Sequence, residues 1–121
     1  NMARAIMESA GFELRWALDA IRSAEQPIDK LWMVGGAAQS SIWPAILSEI
    51  TGIPIEIPQY DNWPALGAAM LAGVGSEVYA DFQDALNYMQ KPAREVNVQN
   101  KNIEIYKTGF ERYQETISKN F

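Results

Sequence analysis

Apolar residues recur at helical spacing in two long segments, one at each end of the chain. The N-terminal segment predicts an amphipathic helix from Met2 to about Ser23. Its apolar face consists of Ile6, Ala10, Leu14, Leu18 and Ile21. The stripe of the C-terminal segment consists of Ile103, Tyr106, Phe110, Tyr113 and Ile117. Because this second stripe spans only about two heptads, it favours a helix that docks on its own domain over a coiled coil.

Two segments between these helices have the pattern of strands. Residues 31–34 are all apolar and precede a Gly-Gly pair, which predicts a strand buried on both faces, as in parallel sheets. Further along, Ile53, Ile55 and Ile57 alternate with other residue types, which predicts a strand with one buried face. Because Pro54 and Pro58 cannot donate to a ladder, we expect this strand to be short or to lie at an edge.

Helix-capping residues and helix-ending glycines predict three further helices. The first follows the Gly-Gly pair, with Ser40 or Ser41 as its cap and Gly52 at its end. The second covers about 63–72 after Asp61 or Asn62, and the third covers 81–89.

Helices and strands therefore alternate along the first part of the chain. A short strand at 96–98 comes before the last helix. This order predicts an α/β domain with at least two parallel strands and an appended C-terminal element.

Runs of small residues occur in two of the predicted helices. Ser9-Ala10-Gly11 lies within the N-terminal helix. A Gly costs about 1 kcal/mol relative to Ala in a helix interior, so we expect close packing against another element there. The helix after Asn62 contains Ala65-Leu66-Gly67-Ala68-Ala69, which would also allow a close approach to a neighbouring backbone.

Composition narrows the chemistry that such a domain can perform. The 121 residues suffice for one domain, and the absence of Cys and His excludes disulfides, thiolate nucleophiles, His-based triads and the usual zinc and haem sites. The net charge of -5, without a basic cluster, argues against nucleic-acid and membrane-surface partners. No apolar run approaches the roughly 18 residues of a membrane span, and no signal-peptide pattern is present, so we expect a cytoplasmic protein.

Charge is distributed unevenly along the chain. Residues 1–90 contain 11 acidic and 4 basic side chains, whereas residues 91–121 contain 4 acidic and 6 basic ones. We interpret 91–121 as an appended element with a C-terminal appendix helix. The helical pattern starts within the first few residues, which predicts that the chain is cut from a longer protein.

The turn from Val34 to Ser41 is the segment with the clearest candidate chemistry. Ligands of parallel sheets bind outside the carboxyl ends of the strands, where a Gly-rich turn lets a flat ring or a phosphate approach the backbone. The segment has no Walker lysine and does not match GxGxxG. From its spacing alone, the segment is also compatible with a tight turn that binds no ligand.

A family resemblance adds to this picture. The sequence GGAAQSSIW at 35–43 resembles the GGGAxSxxW stretch of the FGGY family of carbohydrate kinases, and ALGAA at 65–69 is similar to that family's ALGAA element, at the expected distance. The sequence RAIMES at 4–9 resembles the family's RAxxEG opening. The C-terminal helix resembles the family's aromatic helix through Tyr106, Phe110 and Tyr113. The resemblance covers nearly the whole chain, and its SxxW form favours xylulose-kinase-like members.

The resemblance implies a fold and a function. It implies that the chain is the C-terminal part of the second, nucleotide-side domain of an ATP-dependent sugar kinase. That domain has a ribonuclease H-like, actin-like ATPase fold, with a short, mostly parallel sheet flanked by helices. The turn at Gly35, Gly36 and Ala37 would contribute to the adenine and ribose pocket, with Gly36 and Ala37 under the ring and Ser40 near its edge.

The resemblance also implies ATP and Mg²⁺ as cofactors and a sugar or polyol as substrate. The sugar-binding first domain, the catalytic base, the phosphate loops and the Mg²⁺ contacts would all lie outside this chain. We therefore assign no catalytic and no metal-binding residue here. The chain alone is expected to phosphorylate no sugar.

Two positions depart from the family pattern. Ala37 replaces the third Gly, which adds a methyl group where the ring would approach. Asn62 stands where an acid is usual, although it can still cap a helix.

Several other residues have two interpretations each. Asp61, Asp81 and Asp84 fit helix capping better than a metal site, because each lies near a predicted helix start. The four tryptophans fit packing better than a stacking platform, and they are Trp16, Trp32, Trp43 and Trp63. The loop at 60–62 could border the nucleotide.

An alternative function stays open from the sequence alone. The chain could be a non-catalytic interaction or scaffold module that keeps the fold without binding a nucleotide. Its partner surface would then be the aromatic C-terminal helix. In either case a homo-oligomer is compatible with the sequence, because the first helix has a broad apolar face.

Overall fold

The computed structural model describes residues 2–59, 62–89 and 92–120, which form five α-helices, three strands and one 3-10 helix. In chain order these are α1 (Met2–Ser23), β1 (Leu31–Trp32), the 3-10 helix (Gly36–Gln39), α2 (Trp43–Thr51), β2 (Ile55–Pro58), α3 (Trp63–Gly75), α4 (Phe82–Tyr88), β3 (Ala93–Val96) and α5 (Ile103–Asn120). The predicted α/β fold class and order of elements are confirmed, although β3 lies earlier than the predicted 96–98. No helix in the described ranges is long and apolar enough to cross a membrane.

The strands form one sheet in the order β1-β2-β3. β1 runs parallel to β2, with Leu31 paired to Ile55, as the sequence predicts. β3 runs antiparallel to β2, with Arg94 opposite Ile57. β2 is therefore central and only four residues long, so the short strand expected from its prolines is confirmed.

β1 is shorter and more exposed than the sequence predicts. It covers only two residues, and the Trp32 and Val34 side chains are 63% and 47% exposed. The expectation of a strand buried on both faces is therefore wrong. The reason is that the helices cover only one face of the sheet. On the other face the Trp32 indole Nε1 donates to Glu56 Oε2 at 2.7 Å.

The core lies between that covered face of the sheet and two helices. Ile55 and Ile57 of β2 form a buried cluster with Leu47 of α2, and Leu14 of α1 packs against it. α1 and α2 approach each other closely at Gly11, where an added Cβ would lie 2.6 Å from Ile50 Cδ1. The close packing predicted at Ser9-Ala10-Gly11 is confirmed.

The C-terminal residues are part of the same core. Tyr106 and Phe110 of α5 are buried, and Tyr106 belongs to a cluster with Ile46 and Ile50 of α2. The predicted docking of the last helix on its own domain is thus confirmed. The change in net charge near residue 91 does not coincide with a break in packing, because apolar side chains determine the packing and charged ones lie mostly at the surface.

α3 and α4 pack against each other. Asn62 Oδ1 accepts a hydrogen bond from Ala65 N at 3.0 Å, and Asp81 Oδ1 accepts one from Asp84 N at 2.8 Å, so both caps are confirmed. Asp61, the other candidate cap, lies outside the described residues. No residue of α3 is buried, and an added Cβ on Gly67 would meet nothing within 4 Å. The close approach expected at 65–69 is not made within the described residues, whereas an added Cβ on Gly73 of the same helix would lie 2.5 Å from Tyr79 Cδ2.

Candidate functional site

The turn after β1 has a defined backbone conformation. Gly35 has φ 84° and ψ -169°, a combination that glycine adopts far more easily than other residues. Beyond it the chain forms the 3-10 helix, in which Ala38 N donates to Gly35 O at 3.1 Å. Ser40 N then donates to Ala37 O at 3.2 Å. Hydrogen bonds within its own backbone therefore order the turn.

A cavity of about 160 Å³ lies between this turn and the end of β2. The described residues that line it are small, apolar or uncharged: Met33, Val34, Gly35, Gly36, Ala38, Gln39, Ile57, Pro58 and Trp63. The cavity is at the carboxyl end of the parallel pair, where open parallel sheets bind ligands. Because no described lining residue is charged, the cavity suits an uncharged, flat chemical group.

The four residues predicted for the site divide into two pairs. Gly35 and Gly36 line the cavity. Ala37 and Ser40 are not among the lining residues. Ala37 lies on the 3-10 helix beside the two glycines, so a place for its methyl group under a ring stays a prediction.

Ser40 has a structural role that the sequence also suggested. Its Oγ accepts hydrogen bonds from Ile42 N at 3.3 Å and Trp43 N at 3.1 Å, at the start of α2. Ile42 occupies the N-cap position itself, so Ser40 is not the N-cap residue that the sequence predicts, although its hydroxyl does accept at the helix start. The hydroxyl can still donate one hydrogen bond, so its role at the edge of a base stays a prediction.

Gly36 combines two properties that set it apart in this turn. An added Cβ would meet no heavy atom within 4 Å, and unlike Gly35 it does not have a left-handed φ. Neither packing nor backbone conformation within the described chain therefore requires a glycine here. The residue also lines the cavity.

Sequence reasoning missed several residues of this site. The sequence pattern favours a strand role for Met33 and a packing role for Trp63, yet both residues line the cavity. The parallel pairing of β1 and β2 is the signal that could have indicated them, because it brings the residues after each strand to the same edge of the sheet.

Arg94 of β3 also contacts the turn: its guanidinium donates a hydrogen bond to Ala38 O at 2.9 Å. Nothing in the local sequence indicates that contact.

The remaining candidates have structural roles or lie outside the described residues. Residues 60 and 61 of the proposed bordering loop are not described, and Asn62 caps α3. Within the described ranges, no three acidic side chains are grouped so as to hold a metal ion. Trp16 packs edge-on against Tyr113, with 6.4 Å between ring centroids, and Trp43 packs against the core.

A close ion pair lies on the other face of the sheet. Lys30 Nζ and Glu56 Oε1 are 2.5 Å apart, which lowers the pKa of the Glu56 carboxyl and raises the pKa of the Lys30 ammonium. Burial raises the pKa of Tyr106, whose hydroxyl accepts a hydrogen bond from the Arg4 guanidinium at 2.9 Å. None of these groups lines the cavity, so its chemistry depends on shape and on uncharged contacts.

The fold matches that of a known class of protein, the sugar kinases with an actin-like ATPase fold. Residues 1–76 match the model of the C-terminal domain of the FGGY family of carbohydrate kinases. The chain therefore belongs to the FGGY family. The match contains every described residue that lines the cavity and ends before β3 and α5.

Individual relatives agree with this assignment. The chain is 30% identical over 118 residues to an L-xylulose/3-keto-L-gulonate kinase of Escherichia coli strain K12, an alignment that covers 98% of this chain and 24% of the relative. It is 28% identical to a xylulose kinase of Bacillus subtilis strain 168, covering 94% of this chain and 23% of that protein.

A solved structure shows the same fold. The crystal structure of a xyloylose kinase from Brucella ovis superposes with a TM-score of 0.80 at 24% identity, covering 95% of this chain and 24% of that one. The chain thus spans about a quarter of the length of the proteins that it matches.

Proposed function

We propose that this chain is the nucleotide-side part of a carbohydrate kinase, and that its turn after β1 forms part of the pocket for the adenine and ribose of ATP. The complete protein would transfer a phosphoryl group from ATP, with Mg²⁺, to a hydroxyl of a sugar or polyol in the cytoplasm. Membership of the FGGY family and relatives named as sugar kinases support this proposal.

The open space at Gly36 is the observation that carries the assignment of the pocket. A side chain at this position would meet no atom of the described chain, and because Gly36 lines the cavity we expect that side chain to reduce the space there. A ligand that approaches the backbone is a physical reason for the absence of a side chain there. The uncharged lining favours the base over the triphosphate, which would require basic side chains or a cradle of N–H groups.

Phosphoryl transfer needs more than this pocket. It requires a group that positions the acceptor hydroxyl, a metal ion that neutralises the phosphates, and a phosphate cradle. The family resemblance implies that the Mg²⁺ contacts lie outside this chain, so we assign to it no role in holding the metal. Binding and orienting the base is the step that these residues can perform, and we expect no sugar kinase activity from the chain by itself.

The alternative of a scaffold module has less support from the structure. It places the partner surface on the aromatic face of α5. That face is used within the domain, because Tyr106 and Phe110 are only 3% and 5% exposed.

Substitution of Gly36 by valine in the full-length protein tests the proposal. We expect Gly36→Val to raise the KM for ATP while the KM for the sugar stays nearly unchanged, because the branched side chain would occupy the space of the ring. Lost ring contacts of roughly 2 to 3 kcal/mol correspond to about 30- to 150-fold weaker nucleotide binding. Steady-state kinetics with each substrate varied in turn measure both constants.

Gly75→Val is the matched control for this experiment. Gly75 also has open space around its Cβ and no left-handed φ, but it does not line the cavity. We expect unchanged KM values for that variant. Equal losses for ATP and sugar in a folded Gly36→Val protein, or an unchanged KM for ATP, would move the nucleotide away from this turn.

A further inference from the structure

Trp63 forms the one aromatic wall among the described residues of the cavity. It is the first residue of α3, and the side chain is half-buried. Two neighbours fix the start of this helix: Pro64 fits its first turn, and Asn62 accepts a hydrogen bond from Ala65 N. The backbone that carries Trp63 is therefore held in place independently of any ligand.

The surroundings of Trp63 restrict what can occupy the space beside it. The other side chains of the lining are aliphatic, a thioether or absent, and Gln39 is the single polar one among the described residues. Such a lining offers a flat, polarizable surface and almost no charge. The face of an indole binds the face of another aromatic ring better than it binds a hydrated sugar or phosphate.

We propose that Trp63 stacks on the purine base of the bound nucleotide and that Gln39 contacts the polar edge of that base. This inference rests on the proposed function, because it assigns a stacking partner within the same pocket. Met33, on the β1 side, supplies an adaptable apolar contact, since a thioether packs well against aromatic rings. The turn provides space for the ring, and Trp63 orients it.

Tryptophan fluorescence tests this stacking directly. Titration of the full-length protein with adenosine and with ATP should quench the emission of the native protein, because a stacked base lies in contact with an indole. We expect Trp63→Phe to lose this quenching yet keep most of the affinity, since phenylalanine can also stack. Trp63→Ala should bind adenosine about tenfold more weakly, a typical loss for one stacked base.

Trp16→Phe is the matched control. Trp16 lies on α1 against Tyr113 and does not line the cavity, so this variant should keep both the quenching and the affinity. Tripolyphosphate serves as the second probe, since it carries the phosphates without the base. Trp63→Ala should leave tripolyphosphate binding unchanged.

The outcomes separate this inference from the proposed function. Quenching that persists in Trp63→Phe, together with unchanged adenosine affinity in Trp63→Ala, would overturn the stacking role, while the effect of Gly36→Val on ATP would still support the pocket. Equal weakening of adenosine and tripolyphosphate binding would also overturn it, because the tryptophan would then act through the fold. If neither Gly36→Val nor Trp63→Ala affected ATP binding, the pocket itself would be in the wrong place.

Discussion

Glycines at the interfaces between helices differ from glycines in the turn after β1 in what a side chain at their position would meet. At the interfaces between helices, a Cβ on Gly11 would lie 2.6 Å from Ile50 Cδ1, and one on Gly109 would lie 2.8 Å from Phe12 Cζ. In the turn, a Cβ on Gly35 or Gly36 would meet nothing within 4 Å. The first pair allows helices to pack within the chain, whereas the turn leaves space that the chain itself does not use.

Stability and ligand binding therefore depend on different parts of the domain. The interfaces of α1, α2 and α5 are filled by buried side chains such as Ile50 and Phe110, and they determine whether the chain folds. The turn is ordered by backbone hydrogen bonds and by Arg94, with a cavity beside it. Substitutions at the interfaces between helices should therefore change the free energy of unfolding, and substitutions of residues that line the cavity should change nucleotide binding.

The largest effect that tests this comparison comes from one substitution made at two glycines. Gly11→Ala and Gly67→Ala gain the same helix propensity, but only the first creates a clash with Ile50. We expect the free energies of unfolding of the two variants to differ by about 1 to 3 kcal/mol, the usual cost of overpacking a core. Urea unfolding measures the difference.

A second substitution identifies the clash as the cause. Ile50→Val removes the Cδ1 atom that the new methyl group would meet, so the cost of Gly11→Ala should be smaller in that background. Equal costs in both backgrounds would show that the interface relaxes without regard to Ile50, and the close-packing account of Gly11 would fail.

An intermediate effect is expected where the turn meets α2. Ser40→Ala should lower the free energy of unfolding by about 1 kcal/mol, because it removes the hydroxyl that accepts from Ile42 N and Trp43 N. Its neighbour Ser41 is exposed and does not cap α2, so Ser41→Ala should stay within about 0.5 kcal/mol of the native value. Thermal unfolding of both variants provides the measurement. A Ser40→Ala protein as stable as the native one, with weakened nucleotide binding, would contradict the structural role.

The smallest effect concerns the exposed face of the sheet. Because the hydrogen bond from Lys30 lowers the pKa of Glu56 below its ordinary value of 4.5, the ion pair contributes stability above that pH and loses it as the pH falls through the folded-state pKa. On the alkaline side, the raised pKa of Lys30 means that the contribution is lost only as the pH rises beyond the ordinary 10.5. Glu56→Gln should therefore reduce the loss in free energy of unfolding as the pH falls below 4.5, which urea unfolding at several pH values measures. The same loss in the variant and the native protein would show that the pair contributes nothing.

How far the sequence predicts this molecule depends on the range of the interactions. The long helices, the caps at Asn62 and Asp81, the docking stripe of α5 and the contact at Gly11 follow from local spacing, because periodicity and capping act over only a few residues. The local pattern also predicts the Gly-rich turn that contains Gly35 and Gly36, whereas its role in nucleotide binding comes from the family resemblance and stays a prediction. These two glycines lie directly after a strand, where parallel sheets bind ligands.

Tertiary structure alone decided the remaining features. The exposed face of β1 and the antiparallel place of β3 depend on which helices cover the sheet, and the contact of Arg94 with the turn joins residues 56 positions apart. Trp63 has the sequence pattern of a packing residue, and it becomes a wall of the cavity only because the pairing of β1 with β2 brings the start of α3 beside the turn. A local pattern carries no information on such pairings, because burial and proximity arise from contacts between residues far apart in the chain.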